Sequence, residues 1–274
     1  MSGVLERTLG ILELLARHGE GLELAAIADT LNMPRSAAHR LLADLARHGY
    51  VRQLRDMGSY ILTTKLASLG LSFLSHSGIV DFSQPLLDRL AQSSGELARL
   101  SVIDGDRLTW VARAQGARQG LRYDPDMGSD ARLSCSSSGL AWMAALSDDE
   151  AIALATRQGL GQPENYGPNA PRTIQEMMAM VHTARERGYS ITIDTYTPGL
   201  STIGVVVQPA GRAPIGTITI AGPTVRFTEE RMRALAPELL EAAAQMAAAS
   251  GTSPFFQKST LGSPPGRGLP IYAA

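Results

Sequence analysis

Arg35, Ser36, His39 and Arg40 occupy positions i, i+1, i+4 and i+5 of the segment RSAAHRLLADLAR, so a helix through it carries all four on one side. An arginine fork on such a helix can donate to both acceptors on the major-groove edge of guanine, and a serine can meet several base edges. Arg52 and Arg55 follow in a short β-rich stretch, where a guanidinium can neutralise backbone phosphate. The chemistry these residues offer is recognition of double-stranded DNA. Ser36 and Arg40 are the first base-reading candidates, His39 and Arg35 the next, and Arg52 and Arg55 the phosphate clamps. Five arginines between residues 35 and 55 (Arg35, Arg40, Arg47, Arg52, Arg55) face only Asp44, a local balance of 5 − 1 = +4. The whole chain is formally −1, so any anionic partner must be met by a patch rather than by a uniformly basic molecule.

Other reactive residue types do not assemble into catalytic patterns. Gly199-Leu200-Ser201-Thr202-Ile203-Gly204 is similar to a nucleophile elbow, but that motif needs its second glycine one residue earlier. Cys135 stands in no catalytic-thiol signature and reads as a small buried side chain. The five histidines form no H-x-x-x-H pair, and His182 with Glu186 one turn on reads as a surface pair. No metal, cofactor or enzymatic activity is expected.

The elements that must position the arginines are legible. Leu24, Ile27, Ala28 and Leu31 form one apolar helical stripe. Asn32 then suits a left-handed turn, and Pro34 a helix start. Ala38, Leu41, Leu42 and Leu45 repeat the inward spacing in a helix read from Pro34 to His48, which Gly49 ends. Tyr50–Leu54 and Tyr60–Leu62 flank a turn-rich pentapeptide and predict a β-hairpin. With a first helix over Val4–His18, this is a winged helix-turn-helix spanning 1–63.

Length and composition frame the remainder. At 274 residues, 44 % hydrophobic and 19 % charged, two domains are expected. No apolar run reaches the length of a membrane helix, and Glu6 and Glu13 interrupt the N-terminal apolar stretch. A single cysteine excludes an internal disulfide, and a cytoplasmic location without membrane partners is expected. The spacing predicts a linker helix at 64–77 within a linker spanning 64–80, and a helix starting at Gln84. Strands are read over Leu97–Asp104 and Leu108–Gln115, and helices over Ser138–Leu146, from Ser147, and over Thr173–Arg187. Strands over Tyr189–Asp194, Thr202–Gln208 and Pro214–Ala221 precede a last helix over Thr228–Ser250. The fold class is α+β, with strands near enough in sequence to pair antiparallel over 81–250. Residues 251–274, with four prolines and four glycines, are expected to form a flexible tail.

Over residues from about 6 to 250 the chain resembles the IclR-type bacterial transcriptional regulators. The resemblance rests on ERTLGILELLARHGEGLELAAIADTLNMPRSAAHRLLADLARHGYV, on LSCSSSGLAWMA, and on RERGYSITIDTYTPGLSTIGVVVQP followed by PIGTITIAGP, in that order. It implies a C-terminal GAF-like effector-binding domain with a curved antiparallel sheet, homodimers or tetramers, operator DNA as partner and a small aromatic or organic-acid effector. By position it implies effector contacts from Ser136, Ser137, Ser138, Thr192, Leu200, Thr202, Thr219 and Ala221. Leu140 replaces a frequent lysine, Thr195 a frequent acid, and Thr202 an occasional cysteine. The implied pocket is hydroxyl-rich and without an obvious internal cation. A carboxylate could sit on backbone N–H groups near Ser136, or the hydroxyls could hold a neutral polar ligand. Two rivals stand beside this reading: an enzyme with a fused winged-helix module, and an architectural protein without a ligand.

Overall fold

The computed structural model describes residues 3–54, 58–123 and 127–259, so the phosphate-clamp candidate Arg55 and the tail beyond 259 lie outside the described residues. The chain forms two compact units, Met1–His76 and Ser77–Ala274.

In the first unit α1 (Val4–Ala16), α2 (Leu24–Thr30) and α3 (Arg35–Arg47) precede a hairpin of β1 (Val51–Gln53) and β2 (Tyr60–Leu62). Ile11, Leu15, Ile27, Ala38, Leu42 and Val51 close its core, the inward set that helical spacing predicts. Asn32 takes φ 46° between α2 and α3, and Gly49 takes φ 75° after α3. Pro34 does not open α3 as its first residue. It is the N-cap at ψ 137°, and its carbonyl accepts from Ala37 and Ala38. Gly21 turns the chain onto the wing, where an added Cβ would fall 2.5 Å from Ile61. Then α4 (Thr64–Ser77) begins under firm restraint. Thr63 Oγ1 donates to Gly49 O at 2.5 Å, and Lys65 Nζ donates to His48 O at 2.7 Å while lying 4.6 Å above the Tyr50 ring.

The second unit holds α5 (Ile79–Ser94), β3 (Leu97–Asp104), β4 (Arg107–Gln115), α6 (Ser137–Ala144), α7 (Asp148–Gln158), α8 (Ile174–Arg187), β5 (Ser190–Ile193), β6 (Leu200–Val207), β7 (Gly216–Pro223), α9 (Glu229–Ala249) and α10 (Pro254–Ser259). Its sheet is antiparallel throughout, in the order β4-β3-β7-β6-β5. One face, with Ala98, Leu100, Ile203, Val205, Ile218 and Ile220, packs on α5 and α9. A second core joins Trp110 and Leu133 to α6, α7 and α8. Side-chain caps open three of these helices: Ser147 and Glu150 form a capping box, and Thr173 and Thr228 accept from the third residue on.

Most boundaries lie within two residues of the sequence expectation, and two differ by more. The helix read from Gln84 starts five residues earlier, at Ile79 just after the left-handed Gly78, and takes Pro85 into its interior. The interval 64–80 is thereby two helices, divided at Gly78 with φ 67°. The tail expected from 251 is helical to 259. Phe256 is 3 % exposed and meets Phe82 edge-on at 6.1 Å, and Ser253 Oγ donates to Ser77 O. Burying those rings outweighs the turn-forming character of the surrounding residues.

Candidate functional sites

On α3, helical period separates function from packing. Leu41, Leu42 and Leu45 face the core, while Arg35, Ser36, His39 and Arg40 are all exposed. Not every cation in the +4 stretch is equally available: Arg47 bonds Asp44 at 2.6 Å, and Arg35 stands 3.9 Å from Asp29. Arg40 and Arg52 have no ion pair among the described residues. Arg52 is exposed on β1 opposite Ile61. The structure brings Arg35, Ser36, His39 and Arg40 onto one solvent-facing surface.

The eight expected effector contacts also come together, but buried. Strand register puts Thr192, Thr202, Ala221 and Leu97 in one row, with Ser190, Gly204, Thr219 and Arg99 in the next. Leu200 continues the same face one step beyond Thr202. This is the sheet face opposite the α5–α9 core, and α6 lies directly on it. A Cβ at Gly204 would come within 2.6 Å of Ser137 Oγ.

The three serines are largely occupied by the fold. Ser136 Oγ caps α6 by accepting from Gly139 N at 3.1 Å. Ser137 Oγ pairs with Ser190 Oγ at 2.7 Å, and Ser101 Oγ donates to Ser138 Oγ at 3.5 Å. Asp194 is likewise committed to the β5–β6 turn, where it adopts φ 51° and accepts from Gly199 N.

The expectation of a site without an internal cation is overturned by Arg99. It is 3 % exposed on β3, directly opposite Thr219, and its guanidinium lies 4.2 Å above the Trp110 ring and 5.6 Å from Tyr123. Among the described residues, Arg99 Nε and Nη1 have no hydrogen-bond partner, nor do Thr217 Oγ1, Thr219 Oγ1 and Trp110 Nε1. Burial pulls the Arg99 pKa below the usual arginine value, opposed by Tyr123 and Tyr196. Burial also pushes Tyr196 up to about 12. The alternation LARLSVID carried the signal, since it sets Arg99 with Leu97 and Ser101, opposite Ala98, Leu100 and Val102.

Aromatic rings continue outward from this point. Trp110 meets Tyr196 at 6.0 Å, and Tyr196 meets Tyr166 at 6.0 Å. Tyr166 accepts from Arg132 Nε at 2.8 Å and lines a surface concavity of about 420 Å³ with Glu164, Pro168 and Arg172. The segment carrying Tyr166 is pressed onto the end of β5: a Cβ at Gly167 would fall 2.0 Å from Asp194 O.

Elsewhere the reactive side chains are quiet. Cys135 is buried and its thiol is pushed up to about 12 by desolvation, which suppresses the nucleophilic thiolate. His182 pairs with Asp148 at 2.9 Å across two helices, instead of with Glu186. No cluster of metal-ligating side chains and no membrane-length apolar helix occur among the described residues.

Residues 71–248 match the family model described as bacterial transcriptional regulator IclR C-terminal, and residues 4–55 match the IclR helix-turn-helix domain. The chain is 27 % identical over 248 residues to the acetate operon repressor of Salmonella typhimurium, covering 90 % of this chain and 89 % of that one. It is 29 % identical over 243 residues to the HTH-type transcriptional regulator BhcR of Paracoccus denitrificans, covering 88 % and 85 %. Among solved structures, an IclR transcriptional regulator from Alicyclobacillus acidocaldarius superposes with TM-score 0.79 at 22 % identity, covering 92 % of this chain and 100 % of that one. An IclR homologue from Microbacterium hydrocarbonoxydans, complexed with 4-hydroxybenzoate, gives 0.74 at 18 % identity, covering 92 % and 100 %.

Proposed function

This chain belongs to the IclR family of bacterial transcriptional regulators, and on that premise we propose that it binds operator DNA as a dimer through α3 and changes that binding when a small molecule occupies the sheet face beneath α6. It is a DNA-binding, ligand-responsive regulator rather than an enzyme. The observation that carries the DNA half is the exposed α3 surface of Arg35, Ser36, His39 and Arg40 over a core-facing leucine stripe. Ser36 and Arg40 read base edges, His39 and Arg35 flank them, and Arg52 holds phosphate. Arg55 is assigned the same phosphate role on sequence grounds alone.

Self-association is supported by apolar side chains left in solvent on two helices of the first unit. Leu5 on α1 is 71 % exposed and Leu71 on α4 is 67 % exposed, with Val4, Leu9 and Leu69 also out. A two-fold dimer matches a palindromic operator whose half-sites are about one helical turn, or a multiple, apart. The effector half is supported by the eight convergent residues and by the aromatic acid bound in the Microbacterium homologue.

Footprinting on DNA from upstream of the chain's own gene, with light scattering of the same preparation, tests this reading. The expected result is a dimer or dimer of dimers protecting a palindrome, with occupancy changed by an effector in either direction. Binding no tighter than to random DNA would overturn it.

A further inference from the structure

We propose that Arg99 is the residue that anchors the anionic group of the effector on the α6-facing side of the sheet, with Trp110, Tyr123 and Tyr196 bracketing the body attached to it. The inference rests on the reading of this chain as an effector-responsive regulator and names the chemistry of the ligand at that site. A buried guanidinium normally stands with a carboxylate, because removing an unpaired charge from water is costly. The titratable groups acting on Arg99 among the described residues are Tyr123, which also hydrogen-bonds the guanidinium, Tyr196 and Arg113, none of them a carboxylate, and Nε and Nη1 are left without a partner.

The free N–H groups are spread over two edges of the guanidinium. Nε belongs to one and Nη1 to the other, so a carboxylate can approach either edge and find a charge-assisted donor. Around them, Thr217 Oγ1, Thr219 Oγ1 and Trp110 Nε1 also lack partners. Five unsatisfied polar atoms on one sheet face are a recognition set, since buried polar atoms are otherwise nearly always bonded. The rest of the lining selects the body of the ligand. Trp110, Tyr123 and Tyr196 offer ring faces and edges beside the cation, and the Tyr196–Tyr166 contact leads to the surface concavity. The Ser136–Ser138 end of α6 is a weaker anchor, because its hydroxyls are already engaged and Gly204 leaves no room beneath Ser137.

The test uses the full chain, with thermal shift and tryptophan-fluorescence titration against benzoate, 4-hydroxybenzoate and phenylacetate, their neutral amides, and inorganic phosphate. At least one acid should bind about tenfold or more tighter than its own amide, as the loss of a charged hydrogen-bond partner implies. Arg99→Met should lose that preference. Without ligand, Arg99→Met should melt several degrees higher than the parent chain, because an unpaired buried charge has been replaced by an apolar side chain of similar length. A lower melting temperature for Arg99→Met, and for Arg99→Gln as the second variant, would show that an intramolecular partner already holds the guanidinium and would overturn the proposal. So would equal affinity for acid and amide, a response to phosphate alone, or no response to any carboxylate. Operator binding is measured on the same samples: if a neutral compound shifts it while the acids do not, the Arg99 anchor fails and the regulator reading stands. If the parent chain binds no specific DNA, the regulator reading itself fails.

Discussion

Arg40 on the outer face of α3 and Arg99 on β3 carry the same guanidinium in opposite surroundings. The first waits in water, where an unpaired charge costs little and can meet any duplex that diffuses past. The second sits in a nearly dry layer beside Trp110, where two of its N–H-bearing nitrogens lack partners at a cost that the proposed ligand would relieve. An exposed cation favours broad attraction and fast encounter, whereas a buried one selects by chemistry. On the proposed reading the two units of this chain divide those tasks.

Substitutions can break or sharpen that contrast. The largest effect is expected at Leu42, fully buried one turn from His39: Leu42→Ala should destabilise the first unit by about 2–5 kcal/mol in denaturant unfolding. A loss well under 1 kcal/mol would show that α3 is not held by its leucine stripe. Arg40→Ala should instead leave stability within about 0.5 kcal/mol and weaken operator binding by about 1–3 kcal/mol. If both quantities fall together, Arg40 is a packing residue and the contrast with Arg99 dissolves. In the second unit, Ser137→Ala removes the link from α6 to β5. The cost should be about 1 kcal/mol of stability, because Ser190 Oγ keeps the carbonyls of Ser137 and Gly204 as acceptors. Arg52→Ala should weaken all DNA sequences alike and reduce the salt slope by about one unit, as read in a salt titration of binding. A sequence-dependent effect would move Arg52 among the base readers.

The smallest effect concerns pH. Hydrogen bonds from Arg185 and then His182 hold the Asp148 carboxyl below the usual aspartate range. Its contribution is complete above the ordinary aspartate value and is lost as pH falls through the depressed one. Melting curves of Asp148→Asn should therefore lie slightly below the parent near neutrality and converge with it in acid; parallel curves would show the pair to be inert.

The first unit was readable because its proposed reading surface is a helix exterior, where period alone separates Leu41, Leu42 and Leu45 from Ser36, His39 and Arg40. The capping box at Ser147 was readable for the same local reason, and the helix starts at Thr173 and Thr228 lie at side-chain caps. The proposed effector site was only half readable. Its serines stand out in sequence, yet three-dimensional packing uses them for capping and for cross-links between α6 and the sheet. Arg99 is hidden by its strand: with both sheet faces covered, an arginine among apolar neighbours resembles an edge residue until cross-strand register gives its face. The start of α5 was not readable from its apolar spacing, because its first turns continue past Gly78 and Pro85 lies inside the helix as its seventh residue. The Phe255–Phe256 pair lay within a segment dominated by prolines and glycines, and its docking against Phe82 depends on a residue more than 170 positions away.

The Thr63 and Lys65 contacts to the carbonyls after α3 give the reading head a stiff handle. In the dimer proposed above, a signal carried by α4 would re-aim an intact reading surface instead of remodelling it. An effector would then alter the spacing and angle between two reading heads, so operators differing only in the distance between half-sites should discriminate the liganded from the free protein.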